Sequence, residues 1–153
     1  MNIPLLNLKR QYRYLQKDIE QTLSEILTGG AYINGPYVKK LEKDLAEYLD
    51  VKHVMGVANG TDALVIALEA LGVGKGDEVI TSPFTFFATA EAISVVGATP
   101  VFVDVKLSDF NIDETKIEAA ITDKTKVIMP VHIFGTPAEM DKIMEIAKKY
   151  NLY

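Results

Sequence analysis

Val57-Ala58-Asn59-Gly60-Thr61-Asp62-Ala63-Leu64 decides the reading of this chain. An apolar segment runs into a turn of small polar residues and then directly into an apolar helical pattern. The first amides of a helix have no internal partners and lie at the positive end of its dipole, so such a turn can cradle a phosphate. Ordinary strand–helix turns also favour Gly and Asn, for steric reasons alone. The turn is neither GxGxxG nor a Walker A loop, because no lysine follows Gly60.

Outward from this turn the pattern is strand–helix alternation. Strands are expected at His53–Ala58, Glu78–Ser82, Pro100–Val105 and Lys126–Phe134, with helices at Thr61–Leu71, Phe86–Val96 and Asp113–Ile121. Thr136-Pro137-Ala138-Glu139 reads as a capping box opening a last helix striped by Met140, Ile143, Met144 and Ala147. Strands this continuously apolar are expected to be buried on both faces, which means a mainly parallel sheet flanked by helices. Residues 1–52 form a separate helical segment. One apolar stripe runs through Tyr12, Leu15, Ile19, Leu23, Ile26 and Leu27, and a second through Val38, Leu41, Leu45, Tyr48 and Leu49. The expected division is therefore an N-terminal helical segment, 1–52, and a partial α/β domain, 53–153.

The 153 residues are 48% hydrophobic, enough for one sizeable core. A net charge of −5 gives no electrostatic support for a nucleic-acid partner. Without cysteine there is no disulfide or thiolate metal site, and His53 and His132 lie too far apart in sequence to indicate a metal cluster. No stretch approaches the ~20 apolar residues of a membrane span, and no signal peptide opens the chain; a cytoplasmic location is the expectation.

Two further stretches follow expected strands, at the edge where ligands of parallel α/β sheets collect. Ser82-Pro83-Phe84-Thr85-Phe86-Phe87-Ala88-Thr89 places three phenylalanines among hydroxyl residues. Phe84 or Phe87 is expected to fill the core, while a flat ring here can stack on a planar cofactor. Pro130-Val131-His132-Ile133-Phe134-Gly135 offers a histidine, either a satisfied structural residue or a ligand contact. Asp104 reads as a structural cap.

Taken with Gly35-Pro36-x-Val38 and Pro100-Val101-Phe102-Val103-Asp104-Val105, these motifs follow one another in the order found in a known family. The chain resembles the DegT/DnrJ/EryC1/StrS family of pyridoxal-phosphate-dependent sugar aminotransferases, from Pro4-Leu5-Leu6 to Tyr153. The resemblance implies the N-terminal part of the type I aminotransferase large domain. It assigns the cofactor phosphate to the Gly60, Thr61 and Asp62 amides, ring stacking to Phe86, the cofactor and substrate pocket to His132, and the substrate entrance to the neighbourhood of Tyr32. The cofactor it implies is pyridoxal 5′-phosphate. The reaction is conversion of a keto-sugar, nucleotide-linked, to an amino-sugar with an amino-acid donor, in a homodimer.

The family's pyridinium-pairing aspartate and Schiff-base lysine correspond to positions beyond Tyr153, so no catalytic residue is assigned within this chain and it is expected to be inactive alone. On the same reading His53–Ala58 lacks its partner strand and the fourth strand becomes an apolar edge, so the chain is expected to be marginally stable or to associate. The rival reading is a non-catalytic binding or regulatory protein that keeps the family fold. A nicotinamide-dependent enzyme is disfavoured by the missing glycine fingerprint.

Overall fold

The computed structural model describes Pro4 and residues 6–153. The chain forms two compact units, one extending to Gly56 and the other from Val57 to Tyr153.

The first unit contains α1 (Leu8–Gly29) and α2 (Pro36–Leu49). Asn7 caps α1 by accepting the Arg10 N–H, and Gly30 ends it in the left-handed conformation that glycine adopts without a Cβ penalty. Pro36 starts α2 at a position whose N–H would be unpaired in any case. Both helices carry the expected apolar stripe, yet no residue of either is buried.

His53–Ala58 forms no strand, contrary to the sequence pattern. A strand needs a ladder, and none of the described strands pairs with this segment. Within the first unit the Gly56 N–H instead donates to the Glu42 carboxylate at 2.8 Å.

The second unit is a three-stranded parallel sheet covered by helices on both faces. Its elements in order are α3 (Gly60–Ala70), β1 (Glu78–Thr81), α4 (Ala88–Val95), β2 (Thr99–Phe102), α5 (Glu114–Ala120), β3 (Thr125–Met129) and α6 (Met140–Tyr150). The strand order is β2-β1-β3, with Val79 opposite Val127 and Ile80 opposite Ile128. Successive strand residues point to opposite faces, and the two cores follow from that. Val79 and Val127 join Leu68, Val73, Ala92, Ile93 and Ala98 under α3 and α4. Ile80 and Ile128 join Val103, Ile112, Ile117, Ile143, Ile146 and Ala147 under α5 and α6. At ~1.5–3 kcal/mol for each fully buried large side chain, these two layers are the main source of stability.

The fourth expected strand stops at Met129 rather than Phe134. Pro130 has no N–H to continue a ladder, and the chain turns into a short 3₁₀ segment, Ile133–Gly135. The far edge of β3 is not bare: the Tyr153 N–H donates to Lys126 O at 2.9 Å, and the Ile128 N–H donates to Tyr153 O at 2.8 Å. The capping box at Thr136 does not form, because α6 begins only at Met140, with Glu139 before it making no side-chain cap. Ile143, Ile146 and Ala147 are the buried face of α6, whereas Met144, expected inside, is exposed.

Candidate functional site

In the second unit the loops after β1, β2 and β3 leave one edge of the sheet, the edge formed by the strands' C-terminal ends. The N-termini of α3 and α4 belong to the same end. The two helices pack together, and Gly97, just beyond α4, lies against Lys75 in the α3–β1 connection. They therefore finish together at the opposite edge and start together at this one.

The Asn59 side chain opens α3. Its Oδ1 accepts the Asp62 N–H at 2.9 Å, and its Nδ2 donates to the Asp62 carboxylate at 3.1 Å. The Ala63 N–H is taken by Asn59 O. Of the three amides assigned to a phosphate, Asp62 is therefore already engaged. The physical cause is an N-cap that occupies one of the orphan donors. The Gly60 and Thr61 N–H groups make no hydrogen bond among the described residues. A Cβ built on Gly60 would meet no atom within 4 Å, and its φ lies outside the left-handed region. Neither packing nor backbone conformation requires glycine there. Open space beside two bare amides fits close approach by an anionic group.

Phe86 sits just ahead of α4. The Thr89 N–H donates to its carbonyl at 3.1 Å, and the Thr85 and Thr89 hydroxyls hydrogen-bond at 2.9 Å across the same turn. The backbone is held while the ring stays 79% exposed. Neither neighbour fills the core as expected: Phe84 is 43% and Phe87 75% exposed. The β1 exit turns before either ring reaches the interior, which is filled by Val79 and Ile80. Phe84 packs instead against Phe110 and Phe134, with ring centroids 5.3 and 6.4 Å away. Two adjoining clefts flank Phe86. One, of about 390 Å³, is lined by Pro83, Phe84, Thr85, Ile133 and Phe134; the other, of about 310 Å³, by Pro83, Thr85, Phe87, Ala90 and Phe102.

His132 is exposed in the loop after β3, and its Nδ1 accepts the Ala138 N–H at 3.0 Å. Asp104 accepts its neighbour's N–H, that of Val105, at 2.8 Å, in keeping with a structural role. Tyr32 belongs to the first unit, where its hydroxyl donates to Leu27 O at 3.0 Å and satisfies a carbonyl of the last turn of α1. Among the described residues no group of acidic, histidine or cysteine side chains is arranged to hold a metal ion.

The second unit also holds an ionic network around Glu114. Glu114 is buried, 2.9 Å from Lys142 Nζ and 3.0 Å from Lys106 Nζ. The Lys142 hydrogen bond, opposed by desolvation and joined by Lys106, lowers its carboxyl to about 2. The same contacts raise both lysines above their ordinary values.

Two residues that matter here were not singled out from sequence. Asn59 carries a legible signal, an Asn directly before a helix with an acidic residue three positions on. Asn111 carries none, since its partners lie more than 20 positions away.

The chain is similar to known proteins. Residues 13–153 match the model of the DegT/DnrJ/EryC1/StrS aminotransferase family. A pleiotropic regulatory protein of Geobacillus stearothermophilus is 53% identical over 99% of this chain and 41% of its own length. The UDP-2-acetamido-2-deoxy-3-oxo-D-glucuronate aminotransferase of Pseudomonas aeruginosa is 45% identical over 98% of this chain and 42% of its own. The crystal structure of NtdA from Bacillus subtilis with bound cofactor PMP superposes with a TM-score of 0.95 at 41% identity, covering 99% of this chain and 35% of that one. The chain thus spans about two fifths of the length of the curated relatives it matches. The sheet, its flanking helices and the matched residues together establish that this chain belongs to the DegT/DnrJ/EryC1/StrS aminotransferase family, with the fold of the N-terminal part of the type I aminotransferase large domain.

Proposed function

We propose that these residues are the phosphate- and ring-binding portion of a pyridoxal 5′-phosphate-dependent sugar aminotransferase. Such an enzyme converts a nucleotide-linked keto-sugar to an amino-sugar at the expense of an amino-acid donor. The observation that carries this is the pair of unpartnered Gly60 and Thr61 amides at the start of α3, on the same sheet edge as the exposed Phe86 ring. A phosphate at those amides gains the helix dipole and two charge-assisted hydrogen bonds. Phe86, fixed in backbone and free in side chain, provides a flat face for a heterocycle.

The bound cofactor supplies the electron sink that amino transfer requires. Gly60 and Thr61 hold its phosphate, Phe86 orients its ring, and His132 offers a polar contact at the pocket wall. The covalent lysine and the aspartate facing the ring nitrogen are assigned to the rest of the enzyme, so residues 1–153 alone bind the cofactor weakly and do not transaminate. In the whole protein residues 1–52 form a helical segment and 53–153 part of the cofactor domain, with Tyr32 toward the substrate entrance. A homodimer in the cytoplasm completes the reading.

The full-length protein is expected to show a visible cofactor absorption band that bleaches when glutamate is added. A protein without that band, or with a band indifferent to amino donors, contradicts it. The second result would favour a regulatory, non-catalytic protein, a reading that the name of the Geobacillus relative keeps in view.

A further inference from the structure

We propose that Asn111 is a positioning residue that fixes the loop after β3 and, through that loop, sets His132 as a hydrogen-bond donor at Nε2. Asn111 is 1% exposed, and each of its side-chain polar atoms is used. Oδ1 accepts the Ile133 N–H at 3.2 Å, while Nδ2 donates to Thr136 O and Pro137 O, both at 3.2 Å. The amide orientation is therefore unambiguous, since reversal would set oxygen against two carbonyls and nitrogen against an N–H. The backbone around Asn111 is pinned as well: its N–H donates to Asp109 Oδ1 at 2.9 Å, and its carbonyl accepts the Lys106 N–H at 2.9 Å.

The loop so gripped is one that the sequence alone would not hold. Phe134 within it has φ 51°, and Phe110, adjacent to Asn111, has φ 61°. Both are bulky residues in the left-handed region, a strained conformation that persists only when its surroundings enforce it. Asn111 is the polar enforcer, and contacts of both rings with Phe84 are the apolar one.

With residues 133–137 fixed, the Ala138 N–H is delivered to His132 Nδ1. An Nδ1 that accepts carries no proton, so the neutral ring keeps its proton on Nε2. Nε2 has no partner among the described residues. His132 thus presents a donor at the sheet edge, and the ligand chemistry it selects is an acceptor oxygen: a phenolate, carboxylate or sugar carbonyl or hydroxyl. That this oxygen belongs to the cofactor or substrate rests on the function proposed above; the clamp itself does not.

The test is heteronuclear NMR on the isotope-labelled protein in mildly alkaline buffer. The wild type is expected to show His132 as the Nε2–H form. Its Ile133 amide should be protected from exchange on the order of a hundredfold, as befits a bond to a buried acceptor. Asn111→Asp turns an oxygen toward two carbonyls. It should mix the His132 tautomers and lower Ile133 protection about tenfold or more, while the Val79 and Ile80 amides stay protected. Asn111→Ser serves if the aspartate variant does not fold. A wild-type His132 protonated at Nδ1, or an Ile133 amide exchanging at the unstructured rate, overturns the proposal without any variant; so does a folded variant that leaves both signals unchanged. Added pyridoxal 5′-phosphate should shift His132 Nε2. A silent Nε2 with tautomer and protection intact refutes the cofactor reading and leaves the clamp standing.

Discussion

Asn59 Oδ1 accepts the Asp62 N–H at 2.9 Å, so the side chain ahead of α3 takes for the helix itself one of the amides that a phosphate would use. On the proposed function the cap and a phosphate share one helix end, and variants at this turn separate their contributions. Asn59→Ala removes the cap and is expected to cost about 1 kcal/mol of stability. Asn59→Asp keeps the acceptor but adds a negative charge beside the bare amides. It should leave the thermal midpoint nearly unchanged and weaken phosphate binding. Thermal unfolding with and without pyridoxal 5′-phosphate distinguishes the two; equal binding by both variants contradicts the placement.

Gly60→Ala should be harmless to the fold. The added methyl group meets nothing, and the unfolded chain loses freedom, so stability should stay level or rise by up to ~1 kcal/mol. The same methyl group fills the space a phosphate would enter, and cofactor affinity should fall roughly tenfold, the equivalent of one good bond to a charged group. Calorimetry and a cofactor titration check the two halves. Unchanged affinity removes Gly60 from the site.

Phe86→Ala is expected to change folding stability by less than ~1 kcal/mol, because the ring packs on little. Loss of its stacking should weaken binding about 3- to 10-fold, the value of an aromatic pair. A large fall in the unfolding midpoint would make Phe86 a structural residue instead.

Glu114 gives the fold a defined acid limit. Its carboxyl is lowered to about 2 in the native state, chiefly by Lys142, from an ordinary value of 4.5. A depressed carboxyl stabilises fully above the unfolded value, and this contribution is lost as pH falls from about 4.5 toward 2. The amount is ~2 kcal/mol after allowance for the solvent exposure of Lys142. Glu114→Gln should lower stability at neutral pH and flatten the decline below pH ~4.5. Urea midpoints measured across that range check it; an unchanged acid slope contradicts the assignment.

Periodic apolar segments were legible wherever the sheet could use them. β1, the start of β3 and the helices between the strands fall close to where their residues indicate, because Val79, Ile80, Val127 and Ile128 are buried; β2 spans only Thr99–Phe102 rather than Pro100–Val105, and none of its residues is buried. His53–Ala58 is also largely apolar but has no strand partner, and it forms no strand. Propensity without a ladder does not make a strand. The β3 exit misled for a different reason. Ile133 and Phe134 look like further strand residues, but Pro130 ends the ladder and Asn111, distant in sequence, seizes the loop. At the candidate site the turn and the aromatic could be read from sequence. The cap on Asp62 and the Asn111 clamp depend on hydrogen-bond partners rather than on pattern.

The most direct test of phosphate and ring binding is a pyridoxal 5′-phosphate titration followed at individual backbone amides. The predicted result is saturable shifts of the Gly60 and Thr61 N–H resonances, a much smaller response at Asp62, and weakening of all of them by Phe86→Ala. Shifts confined to other surfaces, or an Asp62 response equal to that of its two predecessors, would contradict it.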